Sequence, residues 1–379
     1  MEEITFLRGV PAEEALLELK KYINKYWCAA IDKYGIDVLQ YSGKRADFNG
    51  FIPLKETLAG RFSVSGNPNH RVICSNGGME ILSFLFKALP KGSVIAMEAT
   101  TYDRTLSDAL RCGLQVIGVP LGSDGIDLDS LQTVLRSTKI HLFYSIIYHQ
   151  NPTGICYTSQ NIQAAAKLCR KYGVLFVCDI AYYELRYDGK TNQAIDLSEV
   201  HNVDTCLLGS FTKTISPGTK CGFGIFPPNV VETLTPVIAN TRLNPNYPTQ
   251  AMVSEMIRDG FYDNYLKFLI GLYTPKMLAL NEAMGRYFPE LHMPEITGGF
   301  FCLMWLERIA PSKEEDFIRK VNESGVLIAP AHGVITPDSR GILRNNGLPV
   351  RLTFPSLSIE DIEKGISIIA QVYKNTDWK

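Results

Sequence analysis

Lys213 stands in Gly209-Ser-Phe-Thr-Lys-Thr-Ile-Ser-Pro-Gly-Thr-Lys-Cys-Gly222, a stretch of hydroxyls and turn residues. The run before it, Val203-Asp-Thr-Cys-Leu-Leu208, is apolar enough for a buried strand, and Pro217-Gly218 marks a turn just beyond the lysine. A lysine delivered from a strand end into a loop has two readings. It is a surface side chain beside a turn, or its amine is a nucleophile. In the second case it forms a Schiff base with a carbonyl group, activated by desolvation and neighbouring positive charge.

Other polar groups come after apolar runs in the same way. Ser75-Asn-Gly-Gly-Met-Glu80 precedes a helix-like stretch, and small residues there let backbone amides approach an anion at a helix N-terminus. Thr100-Thr-Tyr102 offers an aromatic face to a flat ring. Gln150-Asn-Pro-Thr-Gly154 is a turn by composition, with Asn151 free to donate from its amide. His149 beside it is given no role. In Cys178-Asp-Ile-Ala-Tyr182 an aspartate ends an apolar run, a poor position unless it meets a cation. Arg351 lies within the strand-like Pro349-Val-Arg-Leu-Thr-Phe354, where a bidentate carboxylate would satisfy its guanidinium.

These groups suit one ligand, a protonated planar heterocycle bearing a phenolic oxygen, an aldehyde and a phosphate. Pyridoxal 5′-phosphate fits each position. Asp179 would keep the ring nitrogen protonated, Asn151 and Tyr182 would bond the phenolate oxygen, and Tyr102 would stack on the ring. Gly77, Gly78, Met79, Ser210 and Lys220 would hold the phosphate. Lys213 would bind the aldehyde and carry the substrate proton, and Arg351 would clamp a substrate carboxylate.

The elements that must position these residues are legible as a pattern. From residue 71, short apolar runs (71–74, 93–97, 114–119, 140–147, 173–178, 205–208 and 222–226) alternate with helix-like stretches such as 80–89 and 159–171. That alternation predicts an α/β fold with a mostly parallel sheet, whose ligands gather at the strand C-terminal ends. Residues 12–27 have helical spacing, with Leu16, Leu17 and Leu19 on or near one face. A long helix over 261–287 precedes a smaller α+β lobe with strands near 299–305, 326–329 and 350–354. We therefore expect an N-terminal segment (1–38) packing with the small domain, a large domain (39–270) and a C-terminal small domain (271–379).

Bulk composition narrows the function classes. A net charge of −1 across 379 residues gives no support to a nucleic-acid or anionic-membrane surface. No apolar run is long enough to span a bilayer, and the acidic N-terminus does not read as a signal peptide. Nine scattered cysteines without a Cys-x-x-Cys imply reduced thiols in a cytoplasmic protein, with neither disulfides nor a metal site.

Asn-Pro-Thr-Gly, Asp-x-Ala-Tyr, Ser-x-x-Lys and the late Arg-Leu occur in the order and spacing of a known family. The chain resembles the fold-type I, pyridoxal-phosphate-dependent aminotransferases of class I/II, from Phe6 to about Ile369. Leu39-Gln-Tyr41, Phe143-Tyr-Ser-Ile-Ile-Tyr-His-Gln-Asn-Pro-Thr-Gly154 and Gly298-Gly-Phe-Phe301 look most like the 2-aminoadipate/kynurenine branch and related bacterial regulators. The resemblance implies an aspartate-aminotransferase-like fold and a homodimer with shared active sites. In that homodimer Tyr41 reaches the neighbouring subunit's cofactor phosphate, and Gly9 and Asn151 lie beside the substrate carboxylate. It also implies ping-pong transfer of an amino group between an L-amino acid and a 2-oxo acid. No helix-turn-helix precedes the domain, which removes the main support for a regulator.

Four departures stand out. Lys220 replaces the usual phosphate-binding arginine, and Arg8 replaces the first of two glycines at the substrate mouth. The small-lobe Pro-Gly-x-x-Phe reads Pro330-Ala-His-Gly-Val334, and the chain starts where a substrate-covering helix would have ended. Arg8 is either a second cation for a substrate side-chain carboxylate or one half of a surface or inter-subunit salt bridge. Two alternatives to transamination remain: elimination, replacement, decarboxylation, racemisation or cyclisation on the same cofactor, and a silent sensor of the same fold.

Overall fold

The structure, a computed structural model, describes residues 3–378 apart from 42, 65, 69, 191–204 and 292. Val203 and Asp204 of the run before Lys213 therefore lie outside the described residues. Each of the seven apolar runs forms a strand: β1 (Arg71–Ser75), β2 (Val94–Glu98), β3 (Gln115–Val119), β4 (Ile140–Ile146), β5 (Leu175–Asp179), β6 (Thr205–Ser210) and β7 (Gly222–Phe226). They make one sheet in the order β1-β7-β6-β5-β4-β2-β3, in which β7 alone runs against its neighbours.

A parallel sheet is buried on both faces, which is why its strands read as continuous apolar runs instead of alternating ones. Phe143 and Phe176 stack at 5.1 Å between adjacent strands, and every residue of β7 is buried. The helices Gly78–Ala88, Asp103–Arg111 and Ser159–Lys171 cover the sheet. The sequence alternation thus translates directly into architecture, with strand C-terminal ends facing one cleft.

The long helix Phe261–Tyr287 runs on from the large lobe into the smaller one, and the expected boundary at 270/271 falls inside it. It packs against the last helix, Ile359–Asn375. In the small lobe, β8 (Phe301–Leu306) pairs antiparallel with β9 (Leu348–Thr353), setting Arg351 opposite Leu303.

The N-terminal segment divides its contacts. Ile4–Thr5 pairs parallel with Val326–Leu327 of the small lobe, and Thr353 donates to Phe6 O from both N–H (3.1 Å) and Oγ1 (3.0 Å). The helix Glu13–Tyr34 instead lies along Tyr247–Arg258, burying Ala15, Leu19, Tyr26, Ala30 and Tyr34. Leu16 and Leu17 point away from that face and are 37% and 52% exposed, so of the three expected leucines only Leu19 faces the core.

One close approach fixes the sheet against the cleft. A Cβ on Gly222 would sit 2.5 Å from the Gly77 carbonyl carbon and 2.6 Å from Gly78 N, both backbone atoms. The glycine lets β7 press on the turn after β1. Gly222→Ala is expected to lower stability by about 1–3 kcal/mol, read from urea unfolding of the protein. Wild-type stability in the variant would show that the Gly77–Gly78 turn can shift freely.

Candidate active site

A cleft of about 710 Å³ opens where β1, β2, β4, β5 and β6 end. Its wall includes Gly9, Gly77, Gly78, Met79, Tyr102, Asn151, Asp179, Tyr182, Ser210, Lys213, Lys220 and Arg351, with Arg8 at the N-terminal segment. Tyr41 is not among them; its side chain is 70% exposed on the outer surface.

The loop after β6 closes on itself through Phe211 N–H to Cys221 O (3.0 Å) and Ile215 N–H to Phe211 O (2.7 Å). Thr214 is pinned from behind by the Tyr262 hydroxyl at 2.8 Å, which also bonds Glu184. Lys213 is thereby aimed into the cleft, where Nζ donates to Gly9 O at 2.7 Å. The rings of Phe300 and Tyr182 lie 5.6 and 5.9 Å from the amine. Burial, then the cations of Arg351 and Lys220, push the Lys213 pKa down to about 8. A carbonyl is its hydrogen-bond partner and no carboxylate among the described residues pairs with it, so the free-base amine is readily reached.

Asp179 ends β5. It accepts from Tyr144 Oη (2.8 Å) and Ala181 N–H (2.9 Å), both neutral donors. Burial pushes its pKa up, and no cation among the described residues offsets this. A cation entering the cleft is what this carboxylate lacks.

Arg351 lies across the cleft on β9. Its Nη1 donates to Asn151 Oδ1 at 3.3 Å, which leaves Asn151 Nδ2 as the group able to donate. Its ion pair with Asp103 is 3.7 Å long, and its guanidinium carbon sits 5.0 Å from the Phe301 ring centre. The same ring is the reason for glycine at position 9, where a Cβ would come within 2.3 Å of Phe301 Cζ. Tyr182 is buried edge-on to Phe300 and Phe301.

Gly77 has φ +117 and starts the helix Gly78–Ala88, whose first amides open on the cleft. Ser210 lies alongside, its Cβ 3.6 Å from where a Cβ on Gly78 would be. Lys220 holds a left-handed φ of +52, uncommon for a residue with a Cβ. The donor set therefore offers amides and an ammonium at one side, an unpaired carboxylate, a desolvated amine and a guanidinium. Pyridoxal phosphate needs each of these.

A family profile described as "Aminotransferase class I and II" matches residues 40–369. The chain belongs to that family. As a class I and II aminotransferase it is an enzyme that works through pyridoxal 5′-phosphate, on a fold-type I scaffold. It is similar to the 2-aminoadipate transaminase of Thermus thermophilus, 27% identical over 375 residues, covering 98% of this chain and 90% of that protein. It also resembles the aromatic-amino-acid aminotransferase 1 of Thermococcus litoralis, 24% identical over 98% of this chain and 88% of that one. Among solved structures, the α-aminoadipate aminotransferase LysN of Thermus thermophilus, complexed with N-(5′-phosphopyridoxyl)-L-leucine, superposes with a TM-score of 0.83. The two share 25% identity over 98% of this chain and 92% of that one.

The sequence reading of this aminotransferase missed charged residues at the cleft and behind it. Asp103 and Arg104 come directly after Tyr102 and line the mouth. Glu98 ends β2 and is fully buried. The signal for Glu98 was present, because an acidic residue closing an apolar run is the pattern that singled out Asp179.

The cationic neighbours of Lys213 give a direct check. In the apoprotein, acylation of Lys213 measured by peptide mass spectrometry should rise with pH through a midpoint of about 8. Arg351→Met removes one repelling cation, so its midpoint should move up. A wild-type midpoint near the ordinary lysine value of 10.5 would refute the desolvated amine.

Proposed function

We propose that this aminotransferase moves amino groups between an L-amino acid and a 2-oxo acid, with each cleft residue holding a distinct role. The observation that carries the assignment is one cleft holding a desolvated Lys213 amine and an Asp179 carboxylate without a cation. When bound, the cofactor supplies an aldehyde and a protonated ring that accepts the electron pair left at the substrate Cα. Lys213 Nζ would hold the aldehyde end of the cofactor and, once the substrate amine has taken its place, would take the proton from Cα. The Asp179 carboxylate would favour a proton on the ring nitrogen by its charge. Asn151 Nδ2 and the Tyr182 hydroxyl would donate to the phenolic oxygen, and Tyr102 would cover one ring face. Gly77, Gly78 and Met79 bind phosphate through the helix start, with the Ser210 hydroxyl and the Lys220 ammonium. Arg351 takes the substrate carboxylate, with Gly9 and Asn151 beside it.

A homodimer fits the exposed surface. Ile36, Leu39, Tyr41 and Leu243 are 72%, 67%, 70% and 60% exposed. Leu243 adjoins Arg242, which bonds Glu80 near the Gly77–Gly78 turn. A second copy would cover this apolar set and let Tyr41 reach the phosphate end of the partner subunit's cleft. Free cysteines at all nine positions fit a cytoplasmic setting.

The substrate side chain is acidic on this reading. Arg8 is exposed at the cleft wall with no ion pair among the described residues, and Arg104 lines the same mouth. The similarity to a 2-aminoadipate transaminase supports the same class of substrate.

Two measurements test the proposal. Protein purified with pyridoxal phosphate should show a visible absorption band that an amino donor bleaches and a 2-oxo acid restores, while Lys213→Ala shows no such band. Release of ammonia or CO2 without restoration would instead indicate elimination or decarboxylation. Arg8→Ala should raise KM for a dicarboxylic amino acid about tenfold or more, the scale of one lost charged contact, with little change for a neutral one. Equal effects on both would remove Arg8 from substrate selection.

A further inference from the structure

One buried ionisable group has no part in the chemistry assigned to the cleft. Glu98 closes β2 behind it, with no exposed surface. Its Oε1 accepts from Ile146 N–H at 2.7 Å and from Ser145 Oγ at 2.9 Å, with the Tyr157 hydroxyl at 3.2 Å. Its Oε2 accepts from Thr101 Oγ1 and from Gln150 Nε2, each at 3.0 Å.

Gln150 is the link to the cleft. Its Nε2 spends one hydrogen on Glu98 and the other on Thr100 O at 2.8 Å. With the amide so oriented, Oε1 faces the turn and accepts from Thr153 N–H (2.9 Å) and Thr153 Oγ1 (2.7 Å). Gly154 N–H closes the turn on Gln150 O at 2.6 Å. Asn151 lies inside this clasp, with its oxygen taken by Arg351.

The groups packed on Glu98 are nearly all neutral donors. β4 contributes Ser145, the Ile146 amide and the buried Tyr144, whose hydroxyl is committed to Asp179. The stretch after β4 contributes Gln150 and Tyr157, and Thr101 comes from the chain just past β2. β3 has no titratable side chain, and at that edge Asp338 accepts from Gly118 N–H. No cation among the described residues faces the carboxylate, and burial pushes its pKa up to about 7 in spite of the donors.

We propose that Glu98 is a positioning residue for the phenolic-oxygen subsite: its carboxylate orients Gln150, Gln150 clasps the Asn151–Gly154 turn, and protonation of Glu98 loosens that turn. This role rests on the assignment of Asn151 to the cofactor oxygen. The physical reason is donor counting. An ionised carboxylate only accepts, whereas a protonated one carries a hydrogen of its own. Two of its partners, the Ile146 and Gln150 nitrogens, can only donate, so the proton must go to one of the hydroxyls, which turns from donor to acceptor, and the Gln150 amide then bonds a neutral oxygen in place of a charged one, a weaker bond.

The sign of the stability effect is opposite to that of the positioning effect. The folded-state pKa lies above the unfolded value, so between about pH 4.5 and 7 the folded chain keeps a proton that the unfolded chain has lost. Glu98 therefore favours the folded state most at low pH, and this contribution fades as pH rises to about 7. The turn itself is tightest above that pH.

Glu98→Gln, which is neutral at every pH, tests the idea with and without cofactor. In the apoprotein, hydrogen exchange of a peptide spanning the turn should show Thr153 and Gly154 about 3- to 10-fold better protected at pH 8 than at pH 6 after correction for intrinsic rates, the scale of one hydrogen bond. The variant should show the lower protection at both pH values. Its Kd for pyridoxal phosphate, from fluorescence titration of the apoprotein, should rise by a similar factor and lose the component that titrates near 7. Gln150→Ala should reproduce both effects, and the double variant should be no worse than either single one. Wild-type exchange in the turn and unchanged cofactor affinity would overturn the proposal, and so would loss of protection spread evenly over the whole sheet. If Glu98→Gln does not fold, Gln150→Ala alone decides by the same two readouts. Failure of the wild-type protein to bind pyridoxal phosphate would refute the cofactor assignment, whereas the exchange measurement tests the clasp independently of it.

Discussion

An ammonium buried without a carboxylate is unfavourable, and the cleft is arranged around that condition. Lys213 meets a backbone carbonyl, two aromatic rings and the fields of two other cations. A carboxylate in place of Gly9 O would have restored an ordinary lysine pKa and ended its use as a nucleophile. The same logic in mirror image governs Asp179, whose neighbours are a phenol and an amide. Each group carries an unmet electrostatic need, and a cofactor with an aldehyde and a basic ring nitrogen meets both. This is how a protein stores binding energy at a site before the ligand arrives.

That arrangement depends on contacts between distant parts of the chain. Gly9 and Lys213 come together because the N-terminal segment is held on the small lobe by Thr353 and by pairing with Val326–Leu327. Arg351 reaches Asn151 only because β9 of that lobe lies across the strand ends of the large one. Relative movement of the lobes would therefore alter the amine's environment and the carboxylate-binding arginine together.

Glu98 and Asp179 show what sequence pattern can and cannot separate. Both are acidic residues that close an apolar strand of the same sheet. Asp179 opens on the cleft and waits for a cation. Glu98 lies one layer behind, saturated by donors from one strand and from the chain that follows β2 and β4. The difference is set by which neighbours fill the space beyond each strand end, and no local pattern encodes that.

The sequence by itself determined where the strands fall along the chain, the α/β class and the spacing of the motifs. These come from local propensity, from burial of whole strands and from turn residues such as those around Asn151. It also marked most of the cleft residues at strand ends or within the small lobe, but not Asp103, Arg104 or the buried Glu98. It placed Leu16, Leu17 and Leu19 on or near one helix face, and the packing of Glu13–Tyr34 on Tyr247–Arg258 buries only Leu19 of the three. The folded chain alone shows that Lys213 meets no carboxylate among the described residues, that Arg351 takes the oxygen of Asn151 and that Tyr41 faces outward. Charge state and hydrogen-bond partners depend on groups far away along the chain, and their dielectric surroundings exist only once the chain has folded.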